Sequence, residues 1–138
     1  MEAHDLETRN ILRDFKRIVV VGLSRDETKY SRIVARFMQD AGYKIIPVNP
    51  VADEPLLGEK VFGDLDQVDV PFDIVDVFRP SDEALGITMK AVAKGAKVVW
   101  LQEGIVSAQA QSFAESRGVG FVQDKCIMKE YLRIFGDE

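Results

Sequence analysis

The feature that most constrains this chain is a regular alternation of short β-branched runs with segments of helical period. Arg17–Val21 (RIVVV) and residues 43–48 (YKIIPV), 72–77 (FDIVDV) and 96–101 (AKVVWL) are each too short and too rich in Val and Ile to read as helices. Between them, apolar residues recur at spacings of three and four. Strands that alternate with helices imply parallel strands joined by helical crossovers, because each connection must return to the starting end of the sheet.

The helical segments carry their own punctuation. Ile33, Val34, Phe37, Met38 and Ala41 fall on one predicted face, and Gly42 follows where a helix C-cap is expected. Ser81 is placed to cap a second helix, with Asp82 and Glu83 in its first turn and Leu85, Met89 and Val92 as its inward stripe before Gly95. Residues 107–118 repeat the plan, with Ala110, Phe113 and Ala114 inward. A short strand at 119–122 precedes a last helix with Ile127, Met128, Tyr131, Leu132 and Phe135 on one face, and an N-terminal helix is expected around Ile11, Leu12 and Phe15. With right-handed crossovers these elements give an α/β fold: a single doubly wound, Rossmann-like parallel sheet of about five strands, in the order 3-2-1-4-5, with helices on both faces. The third strand in that order is the short run Lys60, Val61 and Phe62, followed by a turn and partial helix over 63–68.

No repeat, low-complexity stretch or Pro/Gly/Ser-rich linker divides the 138 residues, so they are expected to form one domain, 1–138. A net charge of -5 argues against a surface built for a nucleic-acid backbone or an anionic membrane, both of which need a basic face. Any anionic ligand must therefore be met by local positive groups. Cys126 is the only cysteine, which excludes an internal disulfide and leaves no Cys/His cluster for a metal. The first residues lack a signal-peptide pattern and the apolar runs are too short to cross a bilayer, so the cytoplasm is the expected compartment.

In doubly wound sheets ligands sit beyond the carboxyl ends of the strands, where strand order reverses. After the first strand comes GLSRDETKYSR, in which Gly22 permits a tight turn and close approach of a phosphate to the backbone. Ser24, Lys29, Ser31 and Arg32 surround the helix N-terminus that follows. Free backbone N–H groups, the helix dipole and these side chains together suit an anion such as a diphosphate; the alternative is a strand-to-helix turn with solvated cations. The GxGxxG dinucleotide pattern is broken, since Ser24 stands where its second glycine belongs and no third glycine opens the helix. The second strand ends in Val48, Asn49 and Pro50, where an NAD site carries an acidic residue; Asp53 lies further on, past the proline.

Five ordered blocks, VVVGLSRDETKYSRIVARFMQDAGYKIIPVNP, LGEKVFGDL, DIVDVFRP, AKVVWLQEGI and DKCIMKEYLRI, resemble the small stand-alone CoA-binding domain proteins over residues 15–134. These in turn are similar to the N-terminal domain of the succinyl-CoA synthetase alpha subunit. The resemblance implies a Rossmann-like domain that holds coenzyme A through its phosphates at Gly22, Ser24, Lys29, Ser31 and Arg32, with Asn49 and Pro50 beside the nucleotide. It also implies that Phe78, Arg79 and Pro80 flank the adenosine or pantetheine portion, and that the acidic-Gly turn Glu103-Gly104 lies near the thiol end. Bland readings stand beside these: Phe78 as a core residue, Arg79 as a surface charge, Glu103 as a carboxylate that steadies a turn.

Cys126 follows Lys125 and precedes a helix, a setting that lowers thiol pKa values, but small buried packing is the commoner fate of a lone cysteine. His4, the only histidine, falls in a terminal segment expected to fray. No Ser/His/Asp or Cys/His pair can be argued, and the synthetase's phosphorylated-histidine domain and partner subunit have no counterpart in these residues. The expected function is therefore CoA or acyl-CoA binding without catalysis by the chain alone, as a sensor, a carrier or a binding module. An enzyme acting on CoA thioesters and an NAD(P)-binding redox module are the alternatives. A homodimer or an unidentified protein partner stays open, because nothing in the sequence locates an interface.

Overall fold

A computed structural model describes residues 2–136. Its sheet consists of β1 (Arg17–Val21), β2 (Lys44–Val48), β3 (Ile74–Val77), β4 (Val98–Leu101) and β5 (Gly120–Val122), all parallel, in the order β2-β1-β3-β4-β5. The helices are α1 (Ala3–Asp14), α2 (Tyr30–Asp40), α3 (Ala84–Ala93), α4 (Ala108–Ser116) and α5 (Ile127–Phe135). The doubly wound α/β architecture is as the alternation requires. None of these helices is long and apolar enough to cross a membrane.

Each face of the sheet carries its own core. Ile18, Val20, Ile45, Ile74 and Trp100 point to one side, where they pack with Leu12 of α1, Val34 and Met38 of α2, and Ile127 of α5. Val19, Val21, Val75, Val77 and Val99 point to the other, against Ala84 and Ala91 of α3 and Ala110 of α4. Two-sided burial is why these strands read as unbroken β-branched runs rather than as alternating ones. Trp100, fully buried, satisfies its indole by donating to the Lys125 carbonyl at 2.8 Å, which fixes the approach to α5 against β4.

The segment read as a third strand lies where the predicted order puts it, outside β2, but it makes a single parallel bridge, Phe62 to Val48, rather than a strand. Pro47 gives the reason. Its carbonyl accepts from Phe62 at 3.0 Å on this outer side, and the same side lacks the N–H that would extend the ladder toward Lys60. The fifth strand is accordingly β5.

Helix phases depart from the periodicity in places. Ile33 of α2 and Leu132 of α5 are 46% and 47% exposed. In α3 the inward stripe is Ala84, Thr88 and Ala91, not Leu85, Met89 and Val92; Met89 is 47% exposed. Small side chains on this face let α3 lie on the sheet, while Leu85 and Met89 share a surface groove with Phe113 of α4. Ser81 does not cap α3; its hydroxyl accepts from the Val106 N–H at 3.0 Å. Phe113 is half-buried, and His4 lies within α1 with its ring exposed, rather than in an irregular terminus.

Asp76 sits in the middle of β3, in register with Val20 and Trp100, and is 1% exposed. Its Oδ1 has no partner among the described residues, and burial holds the carboxyl well above the usual carboxylate range. The folded chain thus keeps this proton to a higher pH than the unfolded chain. Its contribution to stability is full below the unfolded value of about 3.9 and is lost as pH rises through the folded value. Asp76→Asn should therefore gain stability relative to the parent protein as pH is raised from 4 to 8, read by urea unfolding; a gap that does not change with pH would contradict an acid buried neutral.

Candidate functional site

Where β1 ends, Gly22 takes φ +91° and donates its N–H to the Val48 carbonyl at 3.1 Å, turning the chain up over the sheet edge. A Cβ here would stand 3.1 Å from the Phe78 carbonyl oxygen and from Cδ of Arg79. Glycine is thus required twice, by conformation and by the close approach of the chain leaving β3. Leu23, fully buried, then anchors the loop in the core.

The rest of the loop is braced from inside. Ser31, buried at the start of α2, accepts the Ser24 N–H on its hydroxyl at 3.0 Å, and Ser24 Oγ accepts the Asp26 N–H at 3.0 Å. Asp26 accepts from the N–H and hydroxyl of Thr28 at 2.9 and 2.7 Å, bonds that hold its carboxyl below the ordinary range. Arg32, 16% exposed, donates to the carbonyls of Ser24 at 3.4 Å and Arg25 at 3.2 Å. Three of the expected anion ligands, Ser24, Ser31 and Arg32, therefore have partners within the loop. Lys29, just ahead of α2, is exposed and forms no ion pair among the described residues, and the N–H groups of Tyr30 and Ser31 find no acceptor there.

Asn49 locks this loop to the next one. Its Nδ2 donates to the Leu23 carbonyl at 2.8 Å, and its Oδ1 accepts from Val51 and Ala52 at 2.8 and 3.1 Å. An aspartate in its place would lose the donor to Leu23. Gly22, Ser24, Asn49, Pro50 and Arg79 line one cleft of about 530 Å³, within the range of small-molecule pockets.

The lining of that cleft also includes Lys90 and Asp64, which the sequence did not single out. Lys90 of α3 reaches Asp64 at 3.2 Å and Asp66 at 3.4 Å, and the hydrogen bond it donates to Asp64 is the main cause that raises its pKa. Arg79 forms a two-pronged pair with Glu83 at 3.2 and 2.8 Å. Lys90 and Asp64 lie 26 residues apart on different crossovers, so no local pattern could have joined them.

The remaining candidates lie apart from the cleft walls. Phe78 is half-buried and packs on the core face shared with α1, α2 and α5; Pro80 is exposed at the entry to the turn before α3. Glu103 pairs with Lys129 at 2.8 Å, and Gly104, at φ +82°, donates its N–H to Asp124 at 2.7 Å. Cys126 is 2% exposed at the cap of α5, with its Sγ accepting the Tyr30 hydroxyl at 2.9 Å. Burial, and then this bond, push the Tyr30 hydroxyl pKa upward. No group of three or more His, Cys, Asp or Glu is placed to hold a metal among the described residues.

A parallel doubly wound sheet with a glycine turn and a cleft at its carboxyl edge defines a Rossmann-like α/β domain. The chain belongs to the CoA binding domain family, whose profile matches residues 16–131. It is 43% identical over 121 residues to the uncharacterized protein YneT of Bacillus subtilis, covering 88% of this chain and 89% of that one. It is similar to the structure of cell-free ID.343 from Thermus thermophilus, at 34% identity and a TM-score of 0.90, covering 98% of this chain and 100% of that one. It is also similar, at 26% identity and a TM-score of 0.70, to the acetyl-coenzyme A synthetase 1 of Ca. Korarchaeum cryptofilum, covering 83% of this chain and 27% of the synthetase.

The Gly22 turn carries a stability prediction. Gly22→Ala should cost roughly 1–3 kcal/mol in denaturant unfolding, because positive φ and the Phe78 carbonyl both oppose a methyl group. A neutral substitution would show that the turn can relax.

Proposed function

We propose that this chain is a stand-alone CoA-binding protein that works as one domain and places the coenzyme's diphosphate over the loop from Gly22 to Ser31. The observation that carries this reading is the coincidence, in a CoA binding domain family member, of a glycine turn that lines the cleft through Gly22 and Ser24 with, further along the same loop, two first-turn N–H groups and a Lys29 that have no partner among the described residues. Those donors supply local positive potential on a chain whose net charge is -5. Ser31 and Arg32 act by shaping the loop, Asn49 joins it to the Pro50 loop, and Phe78 and Pro80 support the turn against which Arg79 faces the ligand. Glu103 and Gly104 then lie further along the same sheet edge, toward the thiol end.

The role that fits is binding rather than turnover: sensing CoA, carrying it, or presenting it to a partner in the cytoplasm, alone or as a homodimer. Among the described residues no nucleophile stands beside a base. Cys126 faces Tyr30, and Glu103 pairs with Lys129 on the surface with no nucleophile beside it among the described residues. The similarity to an acetyl-coenzyme A synthetase supports the ligand class, since that protein's name includes the same coenzyme.

Calorimetric titration with CoA, NAD and NADP tests the reading, and selective CoA binding is expected. Lys29→Ala should weaken it by about 1–3 kcal/mol with unfolding unchanged, whereas Arg32→Ala should also lower stability by loosening the loop carbonyls it holds. Binding of NAD or NADP without CoA would overturn the assignment.

A further inference from the structure

We infer that Lys90 and Arg79 form a second anion subsite that reads the 3′-phosphate of CoA. This rests on the CoA reading above and extends it to the part of the ligand that distinguishes CoA from its dephospho form. CoA carries anionic charge in two places, a diphosphate and a phosphate monoester on the ribose. The loop after β1, whose Gly22 and Ser24 line the cleft, supplies one set of donors. The cleft lining supplies another, with Arg79 arriving from the end of β3 and Lys90 from α3.

At first sight these cations are spoken for, because Glu83 holds Arg79 and Asp64 and Asp66 hold Lys90. The burial of the pairs decides the matter. Arg79 and Glu83 are 48% and 43% exposed, and Lys90 and Asp64 are 44% and 48% exposed, so water screens both pairs and little is lost when they open. A phosphate monoester brings up to two negative charges and three acceptor oxygens against one charge on each carboxylate, and Arg79 can meet it with two parallel N–H groups. The carboxylates therefore act as placeholders. They keep the cleft near neutrality before binding, and they set a threshold that a ribose hydroxyl, which brings no charge, does not cross. NAD and dephospho-CoA both lack the monoester and are disfavoured for the same reason.

The test compares CoA with dephospho-CoA by calorimetry on the full chain and on Lys90→Gln, Lys90→Arg and Arg79→Gln. The parent protein should prefer CoA by about tenfold or more. Lys90→Gln should bring the two ligands to within about twofold by weakening CoA alone, Arg79→Gln should narrow the preference, and Lys90→Arg should restore most of it. Unfolding curves confirm that the exposed substitutions leave the fold intact. Equal affinity of the parent protein for both ligands, or a preference that survives both Gln variants, would overturn the subsite while leaving CoA binding in place. Binding of neither ligand would overturn the CoA reading itself.

Discussion

Burial of a parallel sheet on both faces is the constraint from which the rest of this structure follows. With helices on each side, every strand must be re-entered from the same end, so all five strands finish at one edge and their following loops converge there. β1 lies between β2 and β3, and its connection crosses one face while that of β3 crosses the other. The loops after these strands part at that point and open a cleft between them. The site is a consequence of topology before it is a matter of particular side chains.

Within that frame Gly22 couples fold to site. The Cβ it lacks leaves room for the chain leaving β3 and for Arg79, so the same missing atom serves the packing of the sheet edge and the placement of a cleft cation. Asn49 supplies the second coupling, tying the loop after β1 to the loop after β2 through Leu23. Together they brace the loops that line the cleft, leaving the exposed ion pairs of Arg79 and Lys90 as the groups there that can exchange partners with a ligand.

The strands were legible in the sequence because two-sided burial writes itself as β-branched runs. So were the existence of the helices and the edge at which function should be sought. The rotation of α3 was not, since alanines take its inward face and the larger Leu85 and Met89 lie instead beside Phe113 of α4. Nor was the single bridge at Phe62, which depends on what Pro47 withholds from a neighbour distant in the chain. Of the candidate site, Gly22, Ser24, Asn49, Pro50 and Arg79 do share one cleft. Ser31 and Arg32 were visible as polar and basic residues in the right loop, yet whether such groups meet a ligand or their own backbone is decided by side-chain geometry. Lys90 and Asp64 escaped notice because their meeting is purely tertiary.

The most direct measurement is a titration of isotopically labelled protein with CoA, followed by backbone amide NMR. Binding at the carboxyl edge predicts shifts concentrated at Gly22, Ser24, Tyr30 and Ser31, continuing through Val51 to Arg79 and Lys90, with α1 and the outer surface of α4 unmoved. Shifts confined to α1 or α4, or none at saturating CoA, would contradict a coenzyme site at this edge of the sheet.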